Sequence, residues 1–189
     1  MVLSKLTTEL YSVHHLTQED TSAIKTFRID NPKGKGLELY LQEMAIEEEN
    51  SNNARTYLVK DILSKEIVVY FTLKTGLITK KTSLFHFNNI TGIELANFAV
   101  NDAYRQVNDV TPQVGKYVFI NFIYPLVREI SSLVGSQCLY IFALPQDKLL
   151  LHYSGMGFDR FPHRLEKFIH KHIRPLYDKG CIFMYQKIM

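Results

Sequence analysis

A strand–helix–strand run over residues 92–144 constrains the fold of this chain more than any other segment. Residues 92–100 are predicted as a central strand, 115–134 as a long apolar helix and 137–144 as a strongly apolar strand. A strand of that kind, entered from a helix, is typical of a sheet covered on both faces. Pro125 lies inside the predicted helix and is expected to kink it. The run therefore predicts an α/β fold.

Shorter predicted elements lie on both sides of this run. Before it come helices over 20–29 and 37–49, an antiparallel strand pair over 56–59 and 66–73, and connecting chain over 74–92; a last strand follows over 180–185. No linker, internal repeat or low-complexity segment interrupts the order. We therefore expect one α/β domain over residues 1–189, with a mixed central sheet flanked by helices.

Composition indicates a soluble globular protein of the cytoplasm. Hydrophobic residues make up 46% of the 189 and charged residues 22%, which is ordinary for such a protein. The N-terminal residues lack a signal-peptide pattern, and we expect no membrane partner. Cys138 and Cys181 have no CxxC partner. Cys138 lies in the apolar strand, so a buried thiol is favoured over a disulfide.

Positive charge is concentrated near the C-terminus, although the net charge is only +3. Residues 163–174 contain Leu165, Phe168, Ile169 and Ile173 at helical spacing, among histidines, lysines and arginines. The pattern predicts a helix with one face in the core and the other basic. A solvated face is the simpler interpretation. The alternative is a surface for an anionic partner such as phosphate, RNA or a nucleotide.

A short helix near residue 153 is predicted to end in a tight turn. Asp147 is a candidate cap for its start, and Gly157 can take the left-handed conformation that stops it. Phe158 would then open a strand. Tyr153 lies late in this helix, so that its phenol faces whatever lies at the helix end. Taken alone, the segment describes a buried tyrosine beside an ordinary helix stop.

The junction between the central strand and the long helix could bind an anion. Free backbone N–H groups and the helix dipole together favour negative charge at a helix start. The loop before the helix contributes a single glycine, Gly115. Glu94, at the start of the central strand, is a candidate general base. A solvent-facing carboxylate is the alternative interpretation of Glu94.

The element order and the segment 152–158, His-Tyr-Ser-Gly-Met-Gly-Phe, resemble the GNAT superfamily of N-acetyltransferases. The resemblance is best from about Arg55 to Phe158. It implies acetyl-coenzyme A as co-substrate, without a metal, and transfer of acetyl to a primary amine by direct attack. It also implies that Tyr153 is the general acid that protonates the departing thiolate. Further implied contacts are Phe98, Ala99 and Val100 with pantetheine, and Val114, Gly115, Lys116 and Tyr117 with the pyrophosphate.

The N-terminal half resembles the toxin branch of that superfamily, whose members acetylate the amino group of aminoacyl-tRNA. The similarity lies in Phe27, in 37–41, and in the strands around 55–59 and 69–73. The acceptor stays open at this point: a small molecule, a peptide or aminoacyl-tRNA. A homodimer is common for such folds, and nothing in the sequence specifies one.

Two functions of other classes are compatible with the same sequence. The first is a sensor that binds coenzyme A without catalysis. It would explain why the loop expected to bind the pyrophosphate keeps a single glycine, Gly115, and has Tyr117 where the superfamily has a small residue. An interaction module would use the basic helix to dock on RNA or on an acidic protein, and its binding would be sensitive to salt.

Overall fold

Seven strands form one mixed sheet in the computed structural model of the chain, which describes residues 7–81, 87–108, 113–172 and 180–188. The strand order is β1-β2-β3-β4-β5-β7-β6. The strands are β1 (Tyr11–His15), β2 (Arg55–Asp61), β3 (Ile67–Lys81), β4 (Phe87–Val100), β5 (Cys138–Ala143), β6 (Asp159–Arg160) and β7 (Ile182–Lys187). The mixed sheet flanked by helices that the sequence predicts is confirmed.

Strand direction changes at the pair β4–β5. Strands β1, β2 and β3 pair antiparallel, with Val13 opposite Val59 and Tyr57 opposite Phe71. Strand β5 pairs antiparallel with β7, and β7 with β6. The β4–β5 pair is parallel. A parallel connection requires a crossover, and the long helix after β4 supplies it.

Eight α-helical segments occur in the described part of the chain, and some of them are joined by turns of other pitch. Turns of 3₁₀-helix cover Gln18–Asp20 and Pro32–Gly34, and π-helical turns cover Tyr40–Met44 and Phe119–Ile123. The α-helices are α1 (Thr21–Ile24), α2 (Lys35–Leu39), α3 (Ala45–Asn50), α4 (Asp102–Val107), α5 (Val114–Val118), α6 (Tyr124–Val134), α7 (Asp147–Ser154) and α8 (His163–His172).

The chain divides into two compact units, which we call the first unit and the second unit. The first comprises Met1–Lys74 and Ala96–Leu126, and the second Thr75–Leu95 and Val127–Met189. A large aromatic and aliphatic cluster in the first unit includes Phe27, Tyr40, Leu41, Leu58, Tyr70 and Ala99. A cluster in the second unit comprises Ile78, Cys138, Tyr140, Ile169 and Phe183. The expected single domain over 1–189 stays a prediction.

The long helix after β4 consists of α5, a π-helical turn and α6. The π turn fits a spacing of four between its buried residues. An α-helix has 3.6 residues per turn, so positions four apart drift by about 40° at each step. A wider π turn removes that drift. The turn ends at Ile123, two residues before Pro125, and the kink expected at Pro125 stays a prediction. The buried residues recur every fourth position, as two rows: Val114, Val118, Phe122 and Leu126, and Gly115, Phe119, Ile123 and Val127.

This helix is also long and apolar enough, by length and composition alone, to cross a membrane. Core helices of soluble proteins pass the same test. Val118, Phe122 and Ile123 are fully buried within the protein. One face of Val114–Val134 therefore packs in the core of the protein.

Several predicted elements differ from the observed ones. The segment 74–92 is wrong as connecting chain, because most of it belongs to the long strands β3 and β4. Helix α4 occupies Asp102–Val107, where a loop was expected from residue 106; residues 109–112 of that loop lie outside the described residues. Asp147 is the first residue of α7, and Gln146 holds the capping position, so the predicted cap is wrong.

Both cysteines are buried and neither forms a disulfide, as expected for Cys138. Burial raises the pKa of the Cys138 thiol to about 11. Because the thiolate is the reactive form, Cys138 is an inert core residue at neutral pH.

Candidate active site

The C-terminal part of β4 carries the predicted pantetheine contacts. Alternate side chains of a strand point to opposite faces of the sheet. Asn97 and Ala99 are buried on one face, whereas Phe98 and Val100 are partly exposed on the other. The structure thus places Phe98, Ala99 and Val100 on one continuous strand, and their contact with a ligand stays a prediction.

The parallel ladder between β4 and β5 is short. It joins three residue pairs, from Gly92 with Cys138 to Glu94 with Tyr140, and β4 then runs on to Val100. Beyond Glu94, no further β4–β5 pair forms in the described part of the chain. The main-chain groups on that edge of β4 are therefore free of ladder bonds. An extended ligand with amide groups can bind such an edge as an added strand would.

Asn101 ends β4 and starts α4. Its side-chain oxygen accepts hydrogen bonds from the N–H groups of Ala103 (3.2 Å) and Arg28 (3.1 Å). Its amide nitrogen donates to the carbonyl oxygen of Ile67 at 2.7 Å. The residue is 4% exposed, so these three bonds satisfy a buried amide. They fix the turn that leads from the strand toward the long helix.

Helix α4 is held by a hydrogen bond between two titratable side chains. The Tyr104 hydroxyl donates to the Asp61 carboxylate at 2.6 Å. That bond lowers the pKa of Asp61 below its usual range, chiefly because it stabilises the charged form. The pKa of Tyr104 is raised by burial and then by the same carboxylate.

We expect the variant Tyr104→Phe to be less stable than the wild type at pH 7, by about 1 kcal/mol after allowance for solvent screening of Asp61. A carboxyl with a depressed pKa in the folded state contributes stability above its unfolded pKa of about 3.9, and loses it as the pH falls through the folded pKa. The difference in unfolding free energy between the wild type and the variant should therefore become smaller from pH 7 to pH 3. Thermal unfolding at a series of pH values measures it, and a constant gap would contradict the assignment.

The start of α5 holds the four predicted pyrophosphate residues. Val114 and Gly115 are buried, and Lys116 and Tyr117 are partly exposed. The backbone N–H of Tyr117 is already bonded to the Gln113 carbonyl at 3.0 Å. The backbone N–H groups of Val114, Gly115 and Lys116 lie before this first hydrogen bond of the helix, and such groups have no acceptor within a helix. They are the groups that an anion would use.

The side chain of Tyr117 packs against other aromatic rings. Its ring lies edge-on to Tyr11 of β1, with centroids 5.8 Å apart, and also edge-on to Phe122 at 6.3 Å. These contacts give the Tyr117 ring a packing role at a position where the resemblance implies a small residue. The phosphate-binding role of Val114, Gly115, Lys116 and Tyr117 stays a prediction.

Tyr153 belongs to the second unit and lies near the end of α7. Its side chain is buried, and its ring lies edge-on to Phe158 with centroids 5.8 Å apart. Gly157 has φ +91°, which is the predicted left-handed turn, and the N–H of Phe158 bonds back to the Tyr153 carbonyl at 3.1 Å. The helix itself ends at Ser154, and β6 begins one residue after Phe158. Tyr153 is thus fixed between a helix end and a strand.

Burial keeps the phenol of Tyr153 protonated. Desolvation raises the pKa of Tyr153, and the neighbouring Cys181 raises it further. A phenol in this state holds its proton throughout the neutral range. It can therefore donate a hydrogen bond or a proton, but it cannot serve as a base.

Glu94 accepts a hydrogen bond from a tyrosine that sequence reasoning missed. The Tyr140 hydroxyl lies 3.3 Å from Oε2 of Glu94, and burial and this carboxylate raise the pKa of Tyr140. The ring of Tyr140 lies against two glycines. A Cβ atom on Gly76 would lie 1.8 Å from the hydroxyl, and one on Gly92 would lie 2.9 Å from the ring. The carboxylate of Glu94 is therefore oriented by a ring that only glycines can accommodate.

Among the residues that the structure describes, no group of three or more His, Cys, Asp or Glu side chains could hold a metal ion.

Comparison with known proteins gives a match at the level of the fold. No protein-family model and no curated protein matches the sequence. Among solved structures, a Tyr-to-Phe mutant of the toxin AtaT, bound to acetyl-CoA and the C-terminus of the antitoxin AtaR, is 15% identical. It has a TM-score of 0.66 and covers 94% of this chain and 93% of its own. The chain therefore has the same GNAT-like fold as this structure.

Two further structures extend this similarity. AtaT complexed with acetyl-methionyl-tRNAfMet is 16% identical, with a TM-score of 0.65 and coverage of 92% and 93%. A Tyr-to-Phe mutant of KacT is 14% identical, with a TM-score of 0.68 and coverage of 95% and 96%. The fold resemblance that the sequence predicts is thus confirmed along nearly the whole chain, including the N-terminal half.

Proposed function

We propose that this protein is an acetyl-coenzyme A-dependent N-acetyltransferase whose acceptor is the amino group of an aminoacyl-tRNA. The observation that carries the proposal is the fold, which matches over 94% of the chain a toxin solved with acetyl-CoA. The same toxin was also solved with acetyl-methionyl-tRNAfMet. Aminoacyl-tRNA is a cytoplasmic acceptor, in keeping with the expected location of this chain.

Two features of the first unit support a coenzyme A site. The edge of β4 beyond Glu94 has main-chain groups without ladder partners, which suits the two amides of a pantetheine arm. The strand leads through Asn101 and α4 to the start of the long helix, where free N–H groups suit a pyrophosphate. In this proposal the arm lies along Phe98, Ala99 and Val100, and the phosphates lie at Val114, Gly115, Lys116 and Tyr117.

Acetyl transfer then needs an acid that protonates the departing sulfur. If the amine arrives charged, it also needs a base that removes a proton from the nitrogen. The amine nitrogen forms a bond to the thioester carbonyl carbon, and the carbon–sulfur bond breaks. We assign to Tyr153 the proton that the departing sulfur takes up, and to Glu94 the proton that the attacking nitrogen loses. Tyr153 suits its role because its raised pKa keeps it protonated. Glu94 suits its role because Tyr140 holds the carboxylate in place.

The helix α8 supports a nucleic-acid acceptor. Its one acidic residue, Glu166, is 6% exposed and pairs with Arg160 at 3.1 Å, so its negative charge is directed inward. Lys167 is exposed on the same helix. Because Arg160 neutralises this carboxylate, the other charged residues of α8 leave the helix with a positive charge. A positive charge is what binding to a phosphate backbone requires.

The decisive experiment presents the purified protein with acetyl-CoA labelled in the acetyl group and with a panel of aminoacyl-tRNAs. We expect the label on the amino group of the amino acid and one equivalent of free thiol for each acetyl transferred. Uncharged tRNA is the control, and it should take up no label. Binding of acetyl-CoA without thiol release against any amine would favour the sensor function. No affinity for acetyl-CoA would favour the interaction module.

A charge reversal on α8 tests the acceptor separately. Lys167→Glu should raise KM for aminoacyl-tRNA by roughly three- to tenfold and reduce its salt dependence, because one phosphate contact is lost. It should leave the Kd of acetyl-CoA unchanged. Lys33→Glu, at another exposed lysine, is the matched control. Equal effects of the two substitutions would indicate a general charge effect and remove α8 from the acceptor site.

A further inference from the structure

Asn97 is a buried amide without a hydrogen-bond partner. Its side chain is 1% exposed, and it lies on the strand β4 between residues on the same face, Leu95 and Ala99, that are also buried. Neither Nδ2 nor Oδ1 of Asn97 has a partner among the residues that the structure describes. Buried polar groups are nearly always hydrogen-bonded, so this one requires an explanation.

A second asparagine in the same stretch shows what a structural role involves. Asn101, four residues further on, is equally buried and makes three hydrogen bonds within the first unit. Asn97 makes none of that kind, and an apolar side chain of similar size would be more favourable at its position. A residue that lowers stability without an internal partner is typical of a functional site.

The position of Asn97 indicates which ligand group it would meet. This step rests on the proposed function, in which the pantetheine arm runs from the helix start at Val114 back along Val100 and Phe98. The acyl end of the arm then lies beyond Phe98 on the side of Glu94. The next residue in that direction is Asn97, whose side chain lies on the face of β4 opposite to the side chains of Phe98 and Glu94. It would therefore approach the acyl group from the face away from Glu94.

We propose that Asn97 binds the acyl-thioester end of acetyl-coenzyme A, with Nδ2 donating a hydrogen bond to the thioester carbonyl oxygen. That oxygen gains negative charge when the amine attacks, so a fixed donor stabilises the transition state more than the ground state. Oδ1 is left to accept from an N–H of the attacking amine, which orients its lone pair. Both atoms that lack a partner within the chain thereby obtain one during the reaction.

The variant Asn97→Leu tests this inference because stability and ligand binding should change in opposite directions. Without ligand, its Tm should rise by about 2–4 °C, since a buried unsatisfied amide is removed. Its Kd for acetyl-CoA should rise about tenfold, the effect of one lost hydrogen bond in a buried site. Its Kd for coenzyme A, which has no acyl carbonyl, should change less than twofold. Calorimetric titration with each ligand gives the affinities.

Asn101→Leu is the matched control, because it removes an amide that has partners. Its Tm should fall, whereas the ratio of the two affinities should stay as in the wild type. If leucine does not fit at position 97, Asn97→Ala serves instead: it leaves a small cavity and forgoes the gain in Tm, but it should still weaken acetyl-CoA about tenfold more than coenzyme A.

The outcomes separate this inference from the proposed function. If wild-type protein binds no acetyl-CoA, the proposed function fails. If wild-type protein binds it and Asn97→Leu binds it equally well, only the inference is overturned, and a buried water is then the partner of the amide. An equal loss of affinity for both ligands would also overturn it, because the contact would then lie on the arm and not on the acyl group.

Discussion

Replacing Tyr153 with phenylalanine is expected to reduce kcat roughly 10²–10⁴-fold, which is the usual contribution of a positioned proton donor. The departing thiolate then has to take its proton from water. The Kd of acetyl-CoA should change little, because Phe keeps the edge-on contact with the ring of Phe158 and the buried volume of the side chain. Stopped-flow thiol release gives kcat, and calorimetry gives Kd.

Tyr124→Phe is the control for the loss of a phenol elsewhere, since Tyr124 lies in α6 and has no assigned role. Its kcat should match that of the wild type. The pH profile adds a second check. Because the pKa of Tyr153 is raised, its ionisation should not limit kcat between pH 6 and pH 9. Wild-type turnover by Tyr153→Phe would remove this residue from the mechanism.

Gly76→Ala is expected to destabilise the protein by about 3 kcal/mol through overpacking. The added Cβ would lie 1.8 Å from the Tyr140 hydroxyl and 2.7 Å from Cζ of the same ring. The ring has little room to move away, because its hydroxyl is hydrogen-bonded to Glu94 and because it lies so close to Gly92 that a Cβ there would come within 2.9 Å of its Cδ1. Chemical denaturation of the variant and the wild type measures the difference in the free energy of unfolding.

Two further variants identify the cause of that loss. Gly36→Ala in α2 meets nothing within 4 Å, and it should stabilise the protein by about 0.5–1 kcal/mol because alanine favours a helix. Adding Tyr140→Leu to Gly76→Ala should restore part of the lost stability, so the two changes will not be additive. An unaltered free energy of unfolding for Gly76→Ala would show that Tyr140 is free to move.

The sequence predicted the elements that carry strong periodic signals. The long helix, β5 and the left-handed turn at Gly157 occur where the apolar pattern and the glycine indicated them. It missed the end of β3 after residue 73 and the start of β4 before residue 92, because Gly76 and the surrounding threonines and lysines are typical of connecting chain. Gly76 instead lies within a strand, where its missing side chain leaves room for Tyr140.

The sequence indicated which elements carry the candidate residues, and it did not indicate their hydrogen-bond partners. Glu94 lies on the predicted central strand and Tyr153 late in the predicted helix, and their catalytic roles stay predictions. The bond from Tyr140 to Glu94 joins residues 46 apart in the chain, and no local pattern indicates it. The unpartnered amide of Asn97 could not be predicted either, since alternation in a strand shows that a position is buried but not whether its polar atoms find partners.

The π-helical turn at Phe119–Ile123 decides where the long helix can change in length. A π turn holds one residue more than the α-helical turn that it replaces. Deleting one residue within the turn would therefore return it to α-helical pitch, and Leu126 and Val127 would keep nearly the same direction. Deleting a residue elsewhere in the helix, with the turn kept, would rotate every later side chain by about 100° around the axis and move buried residues out of the core. We therefore expect related sequences to differ in the length of this helix at the turn and not on either side of it.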